Sequence, residues 1–330
     1  MLNSHQIALS PHSLNQLRQS TSLNLEASNL ENLCQQAWAQ RKFLCFAEST
    51  SIPENQKDLL AFNKEQVFFT QVWRQDSGHH HNPHQASPLA VRLAFVSGLI
   101  LTNAPNISDN APGLNLKEAY SGRFQALFAA LDAWGNQHQK PVFVSIPGIG
   151  CGAFSGPYSG MLGAPLKAAL GHAVFQLQLK WVRHIWFDPY SELLDNKGST
   201  YQIGPDTHLH LQPSYSDSNP IASLQFERMT EKLQLQHENY LFAKVVAWDP
   251  LSWPGNDWWG ASRATDDGVV AAATSLMSSL TQIPGYYNTE YNGWCPQSNP
   301  AATWRQSAIE IKSYPEWVQH LLAHTQICSF

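Results

Sequence analysis

Between Asp249 and Gly268 the chain carries four carboxylates, Asp249, Asp257, Asp266 and Asp267, against a single cation, Arg263, in a stretch that also holds Trp253, Trp258 and Trp259. Gathering like charges is costly unless a ligand, a proton or a metal offsets them. Carboxylates beside aromatic rings suit a pocket that stacks a base or ribose while orienting its hydroxyls. They equally suit one that stabilises an oxocarbenium-like centre through negative charge. Part of the pattern has a plainer cause: Thr265 is a good helix N-cap, Asp266 and Asp267 suit a first helical turn, and Asp249-Pro250 suits an Asx-type turn. That cause leaves Asp257, in Pro-Gly-Asn-Asp-Trp-Trp, and the coincidence of tryptophan with acid unexplained. The functional reading is preferred, with Asn256 and Asp266 counted as substrate-binding candidates beside Asp249, Asp257 and Asp267.

A second candidate is the glycine-rich segment Gly148–Gly156. Gly148, Gly150 and Gly152 directly follow an apolar run, and closely spaced glycines let backbone amides approach an anion. The register is neither a GxGxxG dinucleotide fingerprint nor a Gly-Lys-Ser/Thr phosphate loop. A tight turn explains the glycines as well as a phosphate contact does. Cys151 within it raises the possibility of a nucleophile with His172 or His184 as base, but no local signature accompanies it, and a small residue packed in a tight loop is the preferred reading.

The elements that must position these residues are legible as apolar runs. Leu241–Trp248 is rich in valine and aromatics and delivers the chain to Asp249. Leu93–Leu101, Pro141–Ile146 and Trp181–Phe187 have the same character, and helices are expected over Asn115–Trp134, Pro165–Leu179, Ile221–Glu238 and 268–280. His208 and His210 fall in a short alternating stretch. Thr281–Ala301 reads as loop, and Ala302–Phe330 as a strand-like or helical piece with a helix around Pro315–His324. Strands alternating with helices give an α/β fold with helices on both faces of the sheet, and ligands of such sheets sit beyond the strands' carboxyl ends. Residues 1–85 are expected to form a helical extension, with helices over Ser13–Gln36, Ala37–Phe46 and Gln56–Arg74. The histidines at 79–81 and 84 read as a solvated linker rather than a metal site. Residues 86–330 are expected to form one ligand-binding, catalytic domain.

Totals narrow the function. The 330 residues carry 20 Lys and Arg against 25 Asp and Glu, a formal charge of −5, which argues against broad contact with nucleic-acid backbone. Five scattered cysteines without a CxxC pair read as reduced thiols. No run of about 18 apolar residues is present and the start lacks the apolar region of a signal peptide, so no membrane association and a cytosolic setting, including a host cytosol, are expected.

The Gly150–Phe154 sequence, Gly-Cys-Gly-Ala-Phe after a strand, resembles the diphosphate loop of macrodomains of the poly(ADP-ribose) glycohydrolase type. The stretch from Trp248 to Gly268 resembles that of a bacterial effector macrodomain that removes ADP-ribose from an arginine of ubiquitin, and Asp249, Asp257 and Asp267 have similar spacing to its three functional aspartates. The resemblance implies a three-layer α/β/α macrodomain-like mixed sheet. It also implies that Gly150, Cys151, Gly152, Ala153 and Phe154, with Gly148 counted as a further substrate-binding candidate from the glycine spacing, hold the diphosphate and adjacent ribose of ADP-ribose, and that Asp249, Asp257 and Asp267 line the pocket, one or more of them acting on the distal ribose. The Asn-Gly-Gly-Gly stretch usual ahead of this loop and the glutamate pair of the glycohydrolases are missing, so cleavage of poly(ADP-ribose) chains is not expected. Neither a cofactor nor a metal is implied. The implied activity is hydrolysis of mono-ADP-ribose from modified protein, on arginine and with ubiquitin as one candidate. The alternatives are a module that reads ADP-ribose without chemistry, and a metal-dependent hydrolase using the aspartates, with His208 and His210.

Overall fold

The structure, a computed structural model, describes residues 5–9, 67–74, 89–99, 101, 115–152, 154–190, 192, 198–212, 226–248, 270, 274–281, 283–288, 293–297 and 325–329. Its strands are β1 (His5–Leu9), β2 (Val67–Arg74), β3 (Leu89–Ser97), β4 (Val142–Pro147), β5 (Val182–Asp188), β6 (Ser199–Gln202), β7 (His208–Leu211), β8 (Leu241–Trp248), β9 (Gly285–Asn288), β10 (Gly293–Pro296) and β11 (Thr325–Ser329). Its helices are α1 (Leu116–His138), α2 (Gly163–Leu177), α3 (Phe226–Lys232) and α4 (Leu276–Thr281).

Nine strands form one mixed sheet in the order β11-β1-β2-β3-β8-β4-β5-β7-β6. The five from β3 to β7 in that order are mutually parallel, and the apolar character of the central strands β8 and β4 follows from both faces being covered. Val142, Val144, Ile146, Ile185, Phe187, Ala243 and Val245 face α1 and α2 in one core with Tyr120, Phe124, Leu127, Phe128, Leu166 and Leu170. The alternate residues turn to the other face, where Phe226 of α3 packs on Phe242 at 4.6 Å and on Phe143 at 6.1 Å between ring centroids. There His5 also joins β1 to β2 and α4: its Nε2 donates to the Ser279 carbonyl at 2.8 Å and its Nδ1 pairs with Thr70 Oγ1 at 3.0 Å. The result is the three-layer α/β/α macrodomain-like fold.

Three expectations need correction. Val67–Arg74, read as the end of a helix, is a strand that pairs with all of β3, and His5–Leu9 is a strand between β2 and β11. Val67, Phe68 and Phe69 are all buried because both faces of β2 are covered, and that erases the polar alternation that marks a half-exposed strand. Residues 5–9 and 67–74 are thus part of the sheet rather than of a helical extension. The remainder of 1–66, and the histidines at 79–81 and 84, lie outside the described residues. Similarly, 285–296 contains a hairpin, not only loop: β9 and β10 pair antiparallel, with Tyr286 level with Cys295 and Gly285 level with Pro296.

The turns are fixed by capping. Asn115 Oδ1 accepts the Glu118 amide at 3.2 Å and starts α1. Later on the same helix Asp132 Oδ1 accepts the amides of Lys180, Trp181 and Val182 at 3.0, 2.6 and 3.0 Å, so one carboxylate fixes where β5 begins. Asp132→Ala is expected to cost about 2 kcal/mol in chemical denaturation, with Asp132→Asn recovering part of it because an acceptor oxygen remains. An unchanged denaturation midpoint in the alanine variant would contradict this role.

Candidate functional site

The register of the parallel strands brings Ser97 of β3 level with Trp248 of β8, and Pro147 of β4 level with Asp188 of β5. The carboxyl ends of four strands therefore form one edge, and the glycine loop leaves from its middle. Here the backbone is packed too closely for side chains. A Cβ on Gly98 would lie 2.6 Å from the α-carbon and 2.8 Å from the nitrogen of Gly150, and Gly150 itself has a φ of +79°, a conformation open to glycine. Inside the loop the Ile149 amide donates to the Pro147 carbonyl at 2.9 Å, the Cys151 amide to the Gly148 carbonyl at 3.1 Å, and the Ser155 amide and hydroxyl both to the Gly152 carbonyl at 3.0 and 2.8 Å. Leu101 beyond β3 donates to the Phe154 carbonyl at 2.8 Å. Among the described residues the amides of Gly150 and Gly152 have no acceptor. Gly152 is exposed and Gly150 buried, so both amides are left as donors for an anion.

Glu192 braces the loop's far end. Its Oε1 accepts the Gly160 amide and its Oε2 the Leu162 amide, each at 2.8 Å, which caps the start of α2 from β5's side of the sheet. Burial, with the Glu192 carboxylate adding to it, holds the Cys151 thiol well above the ordinary cysteine range. A thiol kept protonated is no nucleophile at neutral pH, and both ring nitrogens of His184 are engaged elsewhere, so Cys151 serves packing against Gly148. Gly148, Gly150, Cys151, Gly152 and Phe154 are thus brought together at one edge. Ala153 lies outside the described residues, as do Asp249, Asn256, Asp257, Asp266 and Asp267. β8 delivers the chain to that same edge at Trp248, the residue before Asp249.

Sequence reasoning passed over two contributors here. Tyr120 reads as one more aromatic on the core face of a helix, and Gly98 as a pause in an apolar run. Neither has a signal that separates it from packing.

The opposite, amino-terminal edge holds a different constellation. Pro141, Trp181, Arg183, His184, Asp206, His208 and Tyr240 line a cleft of about 390 Å³. His184 Nδ1 pairs with His210 Nε2 at 3.0 Å, His210 Nδ1 with Thr200 Oγ1 at 3.0 Å, and His184 Nε2 with Tyr240 Oη at 3.3 Å. These two rings use all four nitrogens within the protein, leaving none for a metal. Among the described residues no group of three His, Cys, Asp or Glu is placed to hold a metal ion.

A family model described as "Macrodomain effector MavL" matches residues 10–300, a span that takes in every strand from β2 to β10, the glycine loop and the aspartate-rich stretch. No curated protein matches the sequence.

The histidine pair sets a pH dependence. Burial first and the neighbouring rings second lower His184 and His210 from 6.5 to about 4. The unfolded chain therefore binds more protons than the folded one between those values, and stability is lost as pH is lowered across that window. Thermal melts from pH 7 to 4 are expected to show a falling midpoint, with a shallower fall in His210→Gln. Equal slopes in the two proteins would contradict the assignment.

Proposed function

The chain belongs to the MavL family of macrodomain effectors, and from that premise we propose that it hydrolyses the N-glycosidic bond between ADP-ribose and an arginine of a modified protein, with ubiquitin as the first substrate to test. The observation that supports this most is the glycine loop at the carboxyl edge of β4, with the Gly150 and Gly152 amides left for an anion. In this reading the diphosphate lies against Gly150–Phe154 and the distal ribose reaches toward the stretch that carries Asp249, Asp257 and Asp267. Asn256 and Asp266 contribute to binding.

The chemistry asked of the aspartates is modest and specific. As the bond between the anomeric carbon and the guanidine nitrogen lengthens, positive charge builds on the ribose, and a nearby carboxylate stabilises it. Water adds to the anomeric carbon through its oxygen, which keeps one hydrogen as the new hydroxyl. Its remaining proton goes to the departing nitrogen, so the products are free ADP-ribose and unmodified arginine. A second carboxylate orients the ribose hydroxyls or the water. The setting is a cytosol, including that of a host cell, where the modified protein is met.

The test is release of ADP-ribose from arginine-ADP-ribosylated ubiquitin by wild type and by Asp267→Asn, with ADP-ribose affinity measured on both. Turnover is expected to fall about 100-fold or more while affinity changes by less than about three-fold, the mark of an interaction made in the transition state. Binding without release by the wild type would identify a reader of ADP-ribose instead, and release abolished by chelator would identify a metal-dependent enzyme.

A further inference from the structure

The Ile149–Gly150 peptide is gripped from inside the fold. Tyr120, on α1, is fully buried. Its hydroxyl donates to the Ile149 carbonyl at 3.0 Å and receives the Leu99 amide at 3.4 Å. One phenol thus joins α1 to the segment after β3 and to the loop after β4. Burial raises its pKa to about 12, so it stays a donor at neutral pH.

A trans peptide is planar, and its N–H points opposite to its C=O. With the Ile149 carbonyl turned to the Tyr120 hydroxyl, the Gly150 N–H is turned away from it. That N–H belongs to a buried residue and has no acceptor among the described residues, a costly state for a backbone donor. Glycine at position 150 makes the orientation a choice rather than a necessity, because a glycine tolerates either sense of its preceding peptide. Without the hydroxyl, the peptide is free to turn its carbonyl outward, where it would repel an anion. The fit is also steric: a Cβ on residue 150 would lie 2.6 Å from the Tyr120 hydroxyl oxygen, so that oxygen fills the space a side chain would need.

We propose that Tyr120 is the positioning residue of the anion site, holding the Ile149–Gly150 peptide so that its N–H faces the diphosphate of ADP-ribose. This rests on the assignment of the loop to the diphosphate, and the experiment separates the two. Tyr120→Phe removes one oxygen and keeps the ring that packs on Phe124. Affinity for ADP-ribose and for ADP is expected to fall about ten-fold, while affinity for adenosine, which has no phosphate, stays within about two-fold. In glycine-labelled wild-type protein the Gly150 amide resonance is expected to move on addition of ADP and not of adenosine, which tests the N–H directly even if the variant folds poorly. No binding of ADP-ribose by the wild type would remove the premise and the proposal together. Normal wild-type binding with an unchanged affinity in Tyr120→Phe, an equal loss for adenosine, or a silent Gly150 resonance would overturn the role of Tyr120 and leave the loop assignment standing.

Discussion

The contact between two backbones, that of Gly98 after β3 and that of Gly150 after β4, is the constraint on which the candidate site depends. At 2.6 Å from a Cβ on residue 98 to the Gly150 α-carbon there is no room for any side chain. β8 lies between β3 and β4 in the sheet, so the loops beyond its two neighbours close over its carboxyl end. The Tyr120 hydroxyl bonds to both segments, and the Leu101 amide adds a bond to Phe154. A rigid glycine loop is the consequence, and rigidity matters because amides fixed in advance bind an anion without an ordering cost at the moment of binding.

Much of the scaffold was legible in the residues. The central parallel strands announce themselves as short apolar runs, and Leu241–Trp248 coincides with the strand observed, whereas β7, a short His-Leu alternation in a loop-like stretch, does not. Asn115 marks a helix start that its side chain indeed caps. What misled were segments whose surroundings decide their structure. β2 is buried on both sides and borders a helix-compatible sequence, so its period is invisible without the sheet that covers it. The hairpin at 285–296 is defined by the backbone pairing of β9 with β10, which a count of Pro, Asn and Tyr does not register.

The candidate site was legible in a different measure. Glycine spacing after a strand pointed to the loop, because the backbone's need to avoid Cβ atoms leaves a mark in residue type. Tyr120 left no such mark: a phenol hydrogen-bonded inside a core looks, in sequence, like any aromatic at helical spacing. The histidines divide in the same way. His184 and His210 sit on adjacent strands of the face under α3, and only the pairing of β5 with β7 brings them to 3.0 Å. Their ring nitrogens are consumed in holding that edge together, at the opposite end of the strands from the glycine loop. One sheet thus separates a tied-down histidine network at its amino edge from donors left for a ligand at its carboxyl edge.

The central claim is that the carboxyl edge receives the diphosphate, and a crystal structure with ADP-ribose tests it most directly. The expected result is diphosphate oxygens within hydrogen-bonding distance of the Gly150 and Gly152 amides, with the distal ribose directed to the stretch after β8. ADP-ribose seated in the cleft of His184, His208 and Tyr240, with the glycine loop's amides untouched, would contradict it.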